Sequence, residues 1–115
     1  MSEIKALTKK IKKFRDERDW KQFHNHKDVA LSLVLEAAEV LEHFQWKSQK
    51  EVEKHGIACK LEIADELADV AMYLFELADN LGIDLPEAIE QKLIKNAGKY
   101  PVEKAKGRHT KYNKL

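Results

Sequence analysis

The chain is poor in the residues that interrupt or cross-link a fold. Its 115 residues include only four glycines, two prolines and one cysteine. The single cysteine, Cys59, excludes an intrachain disulfide and a zinc site built from several cysteines, so we expect it to serve as a small buried apolar residue. Because glycine, proline and β-branched residues are all sparse, the sequence predicts an all-α protein.

Long apolar runs and a strong excess of one charge are also missing. No stretch of about 18 apolar residues occurs, which argues against a membrane span, and the opening MSEIKALTKKIKKF does not resemble a signal peptide. Although 36% of the residues are charged, the formal net charge is +1, so bulk charge indicates neither a nucleic-acid polymer nor a membrane as partner. We therefore expect a cytoplasmic protein with one domain.

Hydrophobic periodicity predicts four main helices. Their expected bounds are about residues 3–18, 27–46 with a short continuation through residue 53, 57–81, and 85–96. From residue 99 onward the chain has six Lys or Arg residues, one acid and no periodicity. We therefore expect a helical domain over residues 1–98 and a mobile basic tail over residues 99–115.

Apolar residues cover more than half the circumference of the second and third predicted helices, whereas packing against a single neighbour needs a stripe of only roughly 100°. These arcs include Val29, Leu33, Val34, Ala37, Leu41 and Phe44 on the second helix and Ile63, Leu67, Val70, Leu74 and Phe75 on the third. Both helices should therefore be buried against several neighbours, some of them from another subunit.

Acids lie at the edges of both arcs. Glu36 and Glu39 are one turn apart on the second helix, and Glu62, Glu66 and Asp69 share a narrow sector of the third. One interpretation is a pair of solvated helix faces. However, like charges at this spacing repel by a few tenths of a kcal/mol, and the other charged faces of this chain mix both signs. The unmixed strips therefore indicate a cation between the two helices.

Oxygen ligands alone favour a hard cation, Mg²⁺ or, as the alternative, Mn²⁺. The chain has no H-x-x-x-H motif and no cysteine pair that would favour zinc, and no repeated Glu-x-x-His that would favour a di-iron centre. Mg²⁺ held by carboxylates usually keeps positions for water and for substrate phosphates. The residue chemistry thus predicts a metal-dependent site for a phosphorylated ligand.

The segments EAAE at residues 36–39 and ELAD at residues 66–69 resemble the E-x-x-E…E-x-x-D signature of the MazG-like, all-α nucleoside triphosphate pyrophosphohydrolases. The resemblance is closest to the dCTP pyrophosphatase branch. The blocks FRDERDWKQFH, LSLVLEAAEVLEHFQW, ELADVAMYLFELADNLGIDLPEAI and KLIKNAGKYP follow that branch in order. Leu35 stands where the family pattern often has a first acid, a departure that the branch shares.

The resemblance implies a four-helix MazG-like bundle that assembles as a dimer or a dimer of dimers. It implies cleavage between the α and β phosphates of a nucleoside triphosphate, which releases a monophosphate and pyrophosphate. The implied Mg²⁺ ligands are Glu36, Glu39, Glu66 and Asp69, whereas Glu62 lies outside the signature. Glu36 is also our candidate for the general base that activates water, and its alternative role is that of one more ligand.

Aromatic and basic side chains are the expected nucleotide contacts. By resemblance these are Trp20 and Trp46 around the base, His24 near the base or sugar, and Lys92, Asn96 and Tyr100 on or just after the fourth helix. Tyr73 belongs to the acidic sector of the third helix and could pack against the sugar. Each aromatic could instead pack in a core, and each lysine could be plain surface. Three functions stay open: hydrolysis of dCTP or modified deoxycytidine triphosphates in house-cleaning of the nucleotide pool, hydrolysis of dUTP or of a broad set of triphosphates, and a non-catalytic helical interaction module.

Overall fold

The computed structural model describes residues 2–115, and within them the regular structure is entirely helical. The six α-helices of this range are α1 (Glu3–Glu17), α2 (His26–Glu42), α3 (Gln49–Ala58), α4 (Lys60–Asn80), α5 (Leu85–Lys99) and α6 (Val102–Ala105). Short 3-10 turns form at Lys21–Phe23 and Tyr112–Lys114. The prediction of an all-α protein is confirmed, whereas the predicted count of four main helices is not.

The chain divides into two units, the first ending at Gly82 and the second comprising Ile83–Leu115. In the first unit α4 is the central helix, and it packs most extensively against α2 and also against α1 and α3. The side chain of Asn25 accepts a hydrogen bond from the backbone N–H of Asp28 at 2.9 Å and so begins α2. The two helices that carry the predicted acidic strips are therefore direct neighbours.

The expected continuation of the second helix is in fact the separate helix α3. Helix α2 ends at Glu42, and a turn leads to Ser48, which forms a capping box with Glu51. The Ser48 hydroxyl accepts from the backbone N–H of Glu51 at 3.2 Å, and the Glu51 carboxylate accepts from the backbone N–H of Ser48 at 3.1 Å. This pair satisfies two free N–H groups at a helix start, so it favours a new helix over a continued one.

The predicted third helix also begins later than expected, because the chain bends at Cys59. This residue caps the end of α3 and the start of α4 with φ −111° and ψ 29°, so α4 starts at Lys60 instead of residue 57. Cys59 is only partly buried, which differs from its expected place in a core. It belongs to the bend between two helices, where the backbone turns away from helical geometry.

The second unit begins with a well-defined helix start. The Asp84 side chain accepts a hydrogen bond from the backbone N–H of Glu87 at 3.2 Å, with Pro86 in the first turn of α5. Beyond α5, the segment expected to lack regular structure contains α6 and the second 3-10 turn. The rings of Tyr100 and Tyr112 meet edge to face with centroids 6.1 Å apart, which holds the two ends of this segment together.

A single chain leaves most of its apolar surface uncovered. Among residues 2–115, Val29 and Ala78 are the only buried apolar side chains. On the apolar arcs, Val34 and Leu41 of α2 and Leu67 of α4 are each more than half exposed. The intrachain neighbours of α2 and α4 therefore cover only part of their arcs. None of the helices in this range has both the length and the apolar composition that crossing a bilayer requires.

Candidate active site

The packing of α2 on α4 brings the predicted acidic side chains into one electrostatic environment. Burial raises the pKa of the Glu36 carboxyl above the ordinary glutamate value, and the neighbouring charges of Glu39, Asp69 and Glu66 raise it further. Glu39 lies on the same helix as Glu36, whereas Glu66 and Asp69 come from α4. The pKa of Glu36 thus responds to the other three predicted metal ligands, and Glu62 is not among the groups that shift it.

Two oxygens of this cluster are buried without a hydrogen bond. They are Oε2 of Glu36 and Oε2 of Glu66. Nε2 of the His43 imidazole lies 2.5 Å from Oε2 of Glu66, in ion-pair range but not in a hydrogen bond. A buried carboxylate oxygen without a partner is unfavourable. Such oxygens are available to a cation.

The donor chemistry of these residues fits Mg²⁺ or Mn²⁺, because every candidate ligand atom is a carboxylate oxygen. Within residues 2–115, however, no three His, Cys, Asp or Glu side chains form a ready-made metal centre. The two observations are compatible for Mg²⁺, which is commonly held by one or two carboxylates together with water and substrate phosphates. The cluster therefore suits a cation that takes its remaining ligands from water or phosphate oxygens.

His43 connects the acidic cluster to α3. Its Nδ1 lies 2.7 Å from Nε2 of His55, and the two ring centroids are 4.9 Å apart. The opposite nitrogen of the same ring contacts Glu66. Sequence reasoning did not single out His55, because the direction of α3 relative to α2 and α4 is not encoded in local periodicity. A histidine in contact with a candidate ligand can restrict the orientation of its carboxylate.

Two of the expected base contacts, Trp20 and His24, lie in the connection between α1 and α2, with ring centroids 6.4 Å apart. Together with Tyr73 they line a cavity of about 480 Å³ between α1 and α4, a volume typical of small-molecule sites. The remaining walls are mostly apolar. They include Leu7, Ile11, Phe14, Ala68, Ala71, Met72 and Phe75.

His24 and Tyr73 also line a second cavity, of about 210 Å³, next to Phe23 and Ser32. Ser32 precedes Glu36 by four residues on α2, and Tyr73 follows Asp69 by four residues on α4. Residues at this spacing are neighbours on one face of a helix. The smaller cavity therefore lies within one helical turn of the acidic cluster on both helices.

The other expected nucleotide contacts are one residue of the first unit and three of the second. Trp46 lies in the turn after α2, is 93% exposed, has φ +66° and lines neither cavity. A large side chain in the left-handed region is strained. Lys92, Asn96 and Tyr100 belong to the second unit, where the backbone carbonyl of Asn96 accepts from the N–H of Tyr100 at 2.8 Å. Their contact with a nucleotide remains a prediction.

A buried charged cluster adjoins the larger cavity and was not foreseen from the sequence. Glu76 and Arg15 are 2% and 3% exposed, and Nη1 of Arg15 lies 3.6 Å from Oε2 of Glu76. Nδ1 of His24 lies 2.8 Å and 3.0 Å from the two carboxylate oxygens of Glu76. The sequence contained one sign of this cluster. Glu76 lies inside the apolar run AMYLFELADNL, where a solvent-exposed residue is not expected.

The neighbouring helices α2 and α4 thus present carboxylates beside an aromatic-lined cavity. This arrangement defines a helical protein with a candidate site for a metal ion and an organic ligand. The chain belongs to the MazG-like family, whose family model matches residues 31–115.

Among characterised relatives, the chain is 41% identical over 104 residues to dCTP pyrophosphatase 1 of Mus musculus and 39% identical over 104 residues to that of Homo sapiens. Each alignment covers 89% of this chain and 61% of the relative, so the chain spans about three fifths of the length of these relatives. A crystal structure of a pyrophosphatase from Archaeoglobus fulgidus DSM 4304 is similar with a TM-score of 0.83 and 38% identity. That match covers 88% of this chain and 94% of the archaeal chain.

Proposed function

We propose that the protein is a Mg²⁺-dependent nucleoside triphosphate pyrophosphohydrolase that acts on dCTP or modified deoxycytidine triphosphates. It would release the monophosphate and pyrophosphate, and so remove such nucleotides from the cytoplasmic pool. The observation that carries this proposal is the acidic cluster of α2 and α4 within one helical turn of a cavity lined by His24 and Tyr73. The names of the dCTP pyrophosphatase relatives support the choice of substrate.

The four carboxylates of Glu36, Glu39, Glu66 and Asp69 would hold Mg²⁺, or Mn²⁺ in its place. The bound cation would supply positive charge opposite the triphosphate oxygens. The two buried oxygens without hydrogen bonds support this assignment, because they are unfavourable without a cation. The neighbouring charges that raise the pKa of Glu36 support it for the same reason.

Glu36 is the proposed general base. Its pKa is raised by burial and by the neighbouring acids, so its carboxylate binds a proton more strongly than an ordinary glutamate does. This property suits a group that takes a proton from the water attacking the α phosphorus. If Glu36 is instead only a ligand, another group must accept this proton.

The base would occupy the aromatic-lined cavity. Stacking on aromatic side chains contributes roughly 1–3 kcal/mol per base, and Trp20 and His24 present two such rings at the cavity. Tyr73 lines the cavity and follows Asp69 by four residues on α4, which supports its proposed contact with the deoxyribose. Lys92, Asn96 and Tyr100 are proposed to contact the nucleotide as well, since a triphosphate has more negative charge than one cation balances.

We further propose that the enzyme works as a homodimer or a dimer of dimers. The uncovered apolar arcs of α2 and α4 support this, because a single chain buries so few apolar side chains. Trp46 is a candidate for burial in the assembly, since an exposed tryptophan in a strained backbone conformation is unfavourable in an isolated chain. No nucleic-acid polymer and no membrane is expected as a partner.

Pyrophosphate release from dCTP, dUTP, dTTP, dATP, dGTP and CTP, measured with Mg²⁺ and again after chelation with EDTA, tests the proposal. We expect release from dCTP that exceeds release from dUTP and CTP and that stops with EDTA. Faster release from dUTP, or equal release from all six, would replace the proposed substrate. No release from any nucleotide would instead favour a non-catalytic interaction module.

A further inference from the structure

We propose that Glu76 is a positioning residue for base selection, which holds His24 so that Nε2 of the imidazole faces the substrate cavity as a hydrogen-bond acceptor. An acceptor at this place favours a pyrimidine with an amino group at position 4 over one with a carbonyl oxygen there. This inference rests on the proposed function, because it concerns which base the proposed pyrophosphohydrolase accepts.

The contacts of His24 show which of its ring nitrogens already has a hydrogen-bond partner. Nδ1 lies within hydrogen-bond distance of both oxygens of Glu76, at 2.8 Å and 3.0 Å. An ionised carboxylate can only accept, so Nδ1 must be the nitrogen that donates its N–H. Among residues 2–115 no hydrogen bond to Nε2 of His24 is present, and the residue lines both cavities. Nε2 is therefore the nitrogen that remains for a ligand.

Glu76 is held from three directions, which makes it a rigid support for His24. Arg15 reaches it from α1, with Nη1 at 3.6 Å from Oε2. Nδ2 of Asn80, one turn further along α4, lies 3.4 Å from the same oxygen. Only 2% of Glu76 is exposed, so water cannot readily replace His24 as its partner. Geometry of this kind restricts the imidazole to one orientation.

The proposed selectivity belongs to the neutral form of the ring. Arg15 lies 3.6 Å from Glu76 but bonds more closely to Asp16, whose Oδ1 is 2.8 Å from its Nε, so Arg15 is shared between two carboxylates. With its one proton on Nδ1, the neutral imidazole has a free electron pair on Nε2. A cytosine amino group donates to such an acceptor, whereas the O4 carbonyl of uracil or thymine presents a second acceptor and is repelled.

A purely structural role for Glu76 makes a different prediction. If the cluster only anchors the loop between α1 and α2, its loss lowers the turnover of all nucleotides by a similar factor. If it also sets the proton on His24, its loss changes the ratio between dCTP and dUTP. The ratio of kcat/KM for dCTP to kcat/KM for dUTP therefore separates the two roles. This ratio does not depend on the fraction of correctly folded enzyme.

The experiment compares kcat/KM for dCTP and for dUTP at saturating Mg²⁺ and pH 8 in the wild-type enzyme and in Glu76→Gln. An amide can turn its NH₂ group toward His24, which moves the ring proton to Nε2, so we expect the preference for dCTP to fall about tenfold, the effect of one hydrogen bond. The matched control is Asp79→Asn. It removes the 3.0 Å Lys12–Asp79 ion pair between the same two helices without touching His24, and its ratio should equal that of the wild type.

A second measurement keeps the test decisive if Glu76→Gln folds poorly. Proton–nitrogen NMR of wild-type enzyme labelled with ¹⁵N-histidine reports the protonated nitrogen of each ring, and His24 is assigned by its loss in His24→Asn. We expect a proton on Nδ1 alone. A proton on Nε2, or an unchanged dCTP/dUTP ratio in a folded and active Glu76→Gln, would overturn the role of Glu76 alone. Failure of the wild type to release pyrophosphate from either nucleotide would overturn the proposed function itself.

Discussion

Glu36 of α2 and Glu66 of α4 each bury a carboxylate oxygen that receives no hydrogen bond, although the two residues lie on different helices. The negative charges of Glu39, Asp69 and Glu66 raise the pKa of Glu36, after the larger effect of burial. In the absence of a cation this arrangement opposes folding. The cation proposed above would offset this repulsion.

Removing one of these charges should stabilise the metal-free protein. Because like charges at helical spacing cost a few tenths of a kcal/mol, Glu36→Gln should raise Tm in EDTA at pH 7.5 by roughly 1–3 °C. Glu53→Gln removes an exposed acid of α3 outside the cluster and should leave Tm unchanged. A lower Tm for Glu36→Gln would mean that Glu36 is stabilised by contacts and not repelled.

The same substitution has a pH dependence of defined sign. The raised pKa of Glu36 means that the folded state binds its proton more tightly than the unfolded state does. Its favourable contribution is therefore complete below the ordinary glutamate pKa and is lost as the pH rises through the raised value. The stability difference between Glu36→Gln and wild type, measured by urea unfolding in EDTA, should grow from pH 4 to pH 7.5. A difference that stays constant across this range would contradict the assignment.

Asp69→Asn should abolish turnover and leave the fold intact. Since altering even an outer partner of a metal site commonly costs 10–100-fold, loss of a proposed ligand should lower kcat by more than about 100-fold. Circular dichroism and Tm measured in EDTA provide the control for folding, and neither should decrease. A folded Asp69→Asn with wild-type kcat would remove this residue from the proposed metal site.

His43→Leu should weaken the response to Mg²⁺. The imidazole contacts Glu66 through one nitrogen and His55 through the other, so its loss frees the Glu66 carboxylate to rotate. We expect the Mg²⁺ concentration for half-maximal activity to rise roughly 10-fold or more. His26→Gln, at an exposed position at the start of α2, is the control. An unchanged Mg²⁺ requirement would show that His43 only links α2 to α3.

Val34→Glu tests the proposed assembly. Val34 is 64% exposed on α2 of a single chain, so a charge there should be tolerated in a monomer but should disrupt an interface that covers this arc. Sedimentation velocity should show a shift toward the 13.3 kDa monomer. Lys27→Glu, on the exposed first turn of the same helix, should leave the assembly intact. A monomeric wild type would refute the proposed oligomer.

Features that depend on neighbours three or four residues away could be predicted from the sequence. The all-α class, the approximate extents of α1 and α5 and the Asp84 cap follow from local periodicity and helix-start chemistry. The clustering of Glu36 with Glu39, and of Glu66 with Asp69, follows from the helical repeat alone. The break before α3 was also readable, since Ser48 and Glu51 form a capping box, but the apolar run leading into it suggested a continuous helix.

Tertiary structure determines which side chains from distant segments of the chain contact each other. Glu76 and His24 are 52 positions apart, and only the packing of α4 against α1 and the adjoining loop makes one the partner of the other. The contact of His43 with His55 likewise depends on the direction of α3 after the turn. Helical periodicity specifies which face of a helix a residue occupies, whereas the element that covers this face is selected by the packing of whole helices. For this reason the acidic strips could be recognised from the sequence, and the buried support of His24 could not.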